Sequence, residues 1–160
     1  MMLNKILGAT AILGVLAATV PAFADQNTAT NSASGDGNQA YIDQVGFSHD
    51  ATNLQAGNGN TGTIIQAGVG TDGNYALNQV ASADGNTQYI NQSADSNEAT
   101  NFATGGGGNF QDINQSGNNN YALNSATGGG NNQDILQTGF NDTATNVAVG
   151  GGNTQNIYQH

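Results

Sequence analysis

Carboxylates come first among the side chains that could act on a substrate. Asp43, Asp50, Asp95 and Glu98 can be tried as the acid and base of glycoside hydrolysis, which needs two such groups flanking one bond. Their offsets are inconsistent from unit to unit, and no insertion longer than three residues is present to wall a pocket. An enzyme is therefore not expected. The two histidines, His49 and His160, are too few for a metal cluster, and cysteine is absent, so thiolate sites and disulfides are excluded. His49 reads as a surface residue and His160 as terminal. The triple-glycine runs lack the Asp of calcium-binding nonapeptides. Residues 105–108 are not followed by the Gly-Lys-Ser/Thr of a phosphate loop. No cofactor or metal is expected. Lys5 is the only Lys or Arg against 11 Asp and Glu, so a basic footprint for nucleic acid is missing as well.

What remains is the carboxamide. Residues 25–160 hold 24 Asn, 22 Gly and 14 Gln. Such a chain either stays disordered, for lack of apolar area to bury, or stacks so that amides hydrogen-bond along ladders. Only 8% of the residues are charged, far below the quarter or so typical of globular domains. The first 24 residues stand apart. Lys5 precedes an apolar stretch over 6–20, then Pro21 and an A-x-A site at Ala22 and Ala24. This is the pattern of a signal helix cleaved after Ala24, too short to span a membrane. Export through the periplasm to the cell exterior is the expectation, with a side-chain charge of -11 on residues 25–160.

The elements that position the amides follow from an internal repeat. Asn38, Asn60, Asn86, Asn109, Asn131 and Asn153 each begin a unit. Each is followed at +4 by Ile42, Ile64, Ile90, Ile113, Ile135 or Ile157, and at +6 by Gln44, Gln66, Gln92, Gln115, Gln137 or Gln159. A second half-repeat carries Ala two residues ahead of Asn53, Asn78, Asn101, Asn124 and Asn146, and occurs once earlier as Ala29 and Asn31. The units are 38–59, 60–85, 86–108, 109–130 and 131–152. Residues 25–37 form an N-terminal half-repeat and 153–160 a C-terminal one. The 26-residue unit is explained by three residues inserted around 69–72.

Constrained positions share one parity, which is the period of a β-strand with one face dictated. Each unit reads as strand, arc, strand, arc. Gly46, Gly68, Gly117 and Gly139 open the first arc, and glycine runs form the second because Gly tolerates positive φ. One unit buries too little to fold alone, whereas stacked units pair each strand with its equivalent above and below. The predicted fold is all-β: a β-solenoid of two parallel, in-register sheets, with an Ile column, a Gln column and an Asn column inside. A buried amide left unpaired costs roughly 1–3 kcal/mol, so the ladders penalise register slips. Asp112 and Asp134 share an outward offset one turn apart. Their repulsion predicts faster assembly at lower pH and higher salt.

With these residues in place, the spacing resembles the curlin repeat of bacterial curli fibre subunits over essentially all of 27–160. The shared pattern is Gln at +6 in all six units, Gly at +8 in four, Asn at +11 as in Asn97 and Asn120, and Ala at +13 as in Ala51, Ala99, Ala122 and Ala144. The closing Gln at +17 survives as Gln55, and Asn replaces the leading Ser. Segments around 40–44, 50–51 and 64–68 are similar to the minor, nucleating subunit, although the repeats carry no basic residue. The resemblance implies a subunit, major or nucleating, of an extracellular functional amyloid that supports adhesion and biofilm matrix. It also implies partners: further copies of itself, other curli subunits and a dedicated outer-membrane secretion pore. The alternative is a soluble, monomeric, secreted β-solenoid that binds ice or a glycan surface. The half-repeats at the two ends are complementary, so either one copy's C-terminal half and the next copy's N-terminal half share a turn, an open head-to-tail contact, or the two ends fray as termini do.

Overall fold

A computed structural model describes residues 26–68 and 73–160. The expected signal segment with Ala22 and Ala24, and the insertion at 69–72, lie outside the described residues. Twelve strands follow one another: β1 (Thr28–Ser34), β2 (Gln39–Val45), β3 (Asp50–Ala56), β4 (Thr61–Ala67), β5 (Tyr75–Ala81), β6 (Thr87–Ser93), β7 (Glu98–Thr104), β8 (Phe110–Ser116), β9 (Tyr121–Thr127), β10 (Asn132–Gln137), β11 (Thr143–Val149) and β12 (Thr154–Gln159). Alternating buried and outward residues run along the central strands, as period-two sequences require.

Odd-numbered strands form one six-stranded sheet and even-numbered strands the other, both parallel throughout. The chain thus coils, laying one strand on each sheet per half-turn. Every pairing puts equivalent repeat positions opposite one another. Ile42, Ile64, Ile90, Ile113, Ile135 and Ile157 lie in one register column. The long spacing between Asn60 and Asn86 does not shift it: Asn53 pairs with Asn78 across the insertion. The terminal half-repeats are strands within the sheets, with β1 on β3 and β12 on β10.

Isoleucine on the even sheet meets alanine on the odd sheet. Ile64, Ile90, Ile113 and Ile135 are fully buried against Ala51, Ala76, Ala99, Ala122 and Ala144. This large-against-small pairing fills the narrow space between sheets. Size is also exchanged in the neighbouring column. The odd sheet carries Gln55, Val80, Ala103 and Ala126 in register, whereas the even sheet carries Gly62, Gln88, Gln111 and Gln133. Gly62 complements this exchange, since a Cβ there would lie 2.7 Å from Gln55 Nε2 and 2.8 Å from Asn53 Oδ1.

The arcs stack as the strands do. Gly130 N–H donates to Gly107 O at 3.0 Å and Gly152 N–H to Gly129 O at 3.1 Å. Among the glycines expected to open the first arc, Gly46 and Gly117 take positive φ (126° and 129°). Gly68 and Gly139 do not, and serve by compactness: a Cβ on Gly139 would sit 2.6 Å from Asp142 Oδ2. Ala94 occupies the same place in the third unit with φ 82°, a conformation costing roughly 1–2 kcal/mol outside glycine.

Candidate functional site: the amide ladders and sheet edges

The +6 glutamines form one continuous chain of side-chain hydrogen bonds. Gln44 Nε2 donates to Gln66 Oε1, Gln66 to Gln92, Gln92 to Gln115, Gln115 to Gln137 and Gln137 to Gln159, each at 2.9 Å. The second Nε2 hydrogen crosses to a backbone carbonyl of the facing sheet, as from Gln92 to Tyr75 O at 2.9 Å. Both amide hydrogens are therefore used, one along the stack and one between sheets.

The second-half asparagines build a matching ladder. Asn53 donates to Asn31 Oδ1, Asn78 to Asn53, Asn101 to Asn78, Asn124 to Asn101 and Asn146 to Asn124, at 3.0–3.1 Å. Each also donates across to the even sheet, as Asn101 does to Tyr89 O at 2.9 Å. The direction is opposite. Glutamine donors point toward the C-terminal end of the stack, and asparagine donors toward the N-terminal end.

The leading asparagines stand just ahead of the even strands, at the close of the second arc. Asn60, Asn86, Asn109, Asn131 and Asn153 each donate the backbone N–H to the Oδ1 of the Asn one unit earlier, beginning at Asn38. In Asn86, Asn109, Asn131 and Asn153 the side-chain Nδ2 reaches the same oxygen. A parallel column closes the first arc. There, backbone N–H groups of Asn97, Asn120 and Asp142 donate to Asn74, Asn97 and Asn120 Oδ1.

His49 sits in this first-arc column, which corrects its reading as a surface residue. It is 1% exposed. Its Nδ1 accepts the Asn74 N–H at 3.0 Å, where an asparagine would present Oδ1. Its Nε2 lies 3.2 Å from Val45 O and so donates, fixing the neutral tautomer. Burial holds its pKa below the usual imidazole value, against the opposing pull of the Val45 carbonyl and the Asp95 charge.

A second glutamine ladder escaped the repeat reading. Gln88 donates to Gln111 at 2.8 Å, Gln111 to Gln133 and Gln133 to Gln155 at 2.9 Å. Its signal was a same-parity position two residues after each leading Asn, masked by Ala40 and Gly62 in the first two units. Because residue 62 offers no amide, Gln88 Oε1 is buried without a partner, and so are both Gln55 side-chain atoms.

Charge lies unevenly outside. On the even sheet Asp112 and Asp134 pair in register, as expected from their offset. Burial, then the Asp134 charge, pushes the Asp112 carboxyl up to about 6. Tyr158 OH donates to Asp134 Oδ2 at 3.0 Å, and that bond raises the phenol pKa. Among the described residues no group of three or more His, Asp or Glu is placed to hold a metal ion. No family model, no curated protein and no solved structure matches the chain.

Proposed function

We propose that this chain is a structural subunit of an extracellular, curli-like functional amyloid fibre, assembled head to tail and supporting adhesion and biofilm matrix. Export would use the N-terminal signal and an outer-membrane secretion pore. Further copies of the chain, together with other curli-type subunits, would be its partners. The repeat solenoid with its hydrogen-bonded amide columns supports this reading, and the resemblance of those columns to the curlin repeat supplies the biological setting.

The polarity of the ladders carries the proposal. At the C-terminal end Gln159 is the last acceptor of its ladder among the described residues and gives one Nε2 hydrogen to Thr143 O, which leaves the second for a further copy; Asn146 is likewise the last asparagine of its ladder. At the other end Gln44 Oε1 and the Asn31 amide begin their ladders. A copy added in the same direction continues every chain: Gln159 donates to the incoming Gln44, and the incoming Asn31 donates to Asn146. A reversed copy sets donor against donor, at roughly 1–3 kcal/mol for each buried group left unpaired. Edges that carry no charged lysine or proline to block pairing favour this addition.

Residues 25–160 incubated at neutral pH provide the test. Thioflavin-positive, unbranched fibres with a repeat of about 4.8 Å along the axis are expected. A chain that folds but stays monomeric at high concentration would support the alternative, a soluble binding module. Thr30, Thr52, Thr100 and Thr145 share one outward column, as such a module needs, but Leu77 and Leu123 interrupt it.

A further inference from the structure

We propose that the outward face of the odd sheet is a second contact surface, and that its partner is the same face of another copy. The two would be related by a two-fold axis parallel to the stack. The inference rests on the fibre reading, because it concerns how finished solenoids associate sideways.

The two outward faces differ in charge. The even sheet presents Asp43, Asp112 and Asp134 in its central columns. The odd sheet has Leu77 and Leu123 in one central column and Leu54, Phe102 and Val147 in the next, with no charged residue in either. Its carboxylates, Asp50 and Glu98, are confined to the column where the strands begin. The column where the strands end is uncharged and finishes at Val149, which is 75% exposed. Residues 26–160 contain no Lys or Arg, so no basic partner surface within another copy can neutralise an acidic face. Contact between copies must therefore avoid carboxylates, and the central and final columns of the odd face do so.

Symmetry does the rest. A two-fold along the stack keeps both solenoids growing in the same direction while reversing their strands across the contact. The Asp50–Glu98 column of each copy then lies over the uncharged final column of the other. The two sets of carboxylates stand about 20 Å apart, the length of a seven-residue strand. Both faces carry the same inter-strand spacing, and the two-fold sets the column of Leu77 and Leu123 in one copy against the column of Leu54, Phe102 and Val147 in the other, as in paired dry sheets. Six strands of this length present about 600 Å² per copy, or about 1,200 Å² in all, the lower bound for a stable interface. A lone pair of copies is marginal by that measure. In a fibre the contact repeats with every subunit, so pairing accompanies growth.

Electron cryomicroscopy of fibres grown from residues 25–160 decides it. Fibres two solenoids wide are expected, with their odd sheets facing at about 10 Å. The L77K/L123K variant should lengthen at the unaltered thioflavin rate, with the paired fraction down about tenfold. T63K/N114K, on the even face, should remain paired. V147K repeats the first measurement at a position already 54% exposed, where folding is least disturbed. Single-width fibres of the unmodified chain, or pairs that survive L77K/L123K and V147K, would overturn the pairing and leave the fibre reading standing. If no fibres form at all, the fibre reading fails and takes the pairing with it.

Discussion

The first three turns of the solenoid and the last three solve the same stacking problem with different regularity. From β6 onward two glutamine ladders and the asparagine ladder run without a break. Before β6, one glutamine ladder is missing, Gln55 fills the space left by Gly62 with no bond of its own, a histidine replaces an asparagine, and the unit length changes. Yet the pairing register is the same in both regions. A ladder position thus needs two things only: an acceptor at the right place and a conserved volume across the two sheets. His49 Nδ1 meets the first and Gln55 opposite Gly62 the second.

Glutamine-to-leucine replacement should act in opposite directions in the two regions. Gln92→Leu removes the donor to Gln115 and Tyr75 O and the acceptor for Gln66, and should cost about 3–5 kcal/mol. Gln55→Leu should instead stabilise by about 1–2 kcal/mol, because it replaces a buried, unpartnered amide by an apolar group of like size. Denaturant midpoints of the freshly dissolved monomer measure both. Equal losses would mean that the ladder bonds contribute nothing.

Core truncation gives the next largest effect. Ile113→Ala, fully buried, should cost about 3 kcal/mol, and Ile157→Ala, half-buried in the last strand, clearly less. Asp112→Asn follows. The carboxyl of Asp112 is raised above its unfolded value, so its contribution to stability is full below about pH 4 and is lost as pH rises through about 6. Its replacement should add about 1 kcal/mol at pH 7, after allowance for solvent screening, and flatten any acceleration of assembly on acidification.

The smallest effect at neutral pH belongs to His49. Its pKa is lowered, so its contribution is full above 6.5 and declines as pH falls below that value. A protonated Nδ1 would face the Asn74 N–H, donor against donor. Between pH 6.5 and 4 the first turns should therefore lose hydrogen-exchange protection while those around Asp112 gain it. His49→Asn should abolish the loss and leave the gain, which peptide-resolved exchange can separate.

Parity and spacing made the strand order, the parallel pairing and the Ile, Gln and Asn columns legible from the residues. Each is a fact about which positions recur, and recurrence in a stack becomes contact. The burial of His49 was not legible, because a stack position selects for an acceptor atom, which side-chain polarity does not reveal. The leading asparagines were read as part of a strand face; they close an arc, a distinction of one residue that period-two counting does not make. Ladder polarity was hidden too. A carboxamide donates and accepts alike, and its direction is set by which carbonyl of the facing sheet takes the second hydrogen. Residue 94 breaks the glycine pattern without breaking the arc, at a local cost in backbone strain.

Side-chain carbon–carbon recoupling by solid-state NMR, on protein labelled only at glutamine Cδ, tests the stacked register most directly. Consecutive Cδ atoms along Gln44, Gln66, Gln92, Gln115, Gln137 and Gln159 should couple at about 5 Å, the spacing of neighbouring strands. Glutamines that show no mutual coupling and exchange their amide protons freely with water would contradict the ladder.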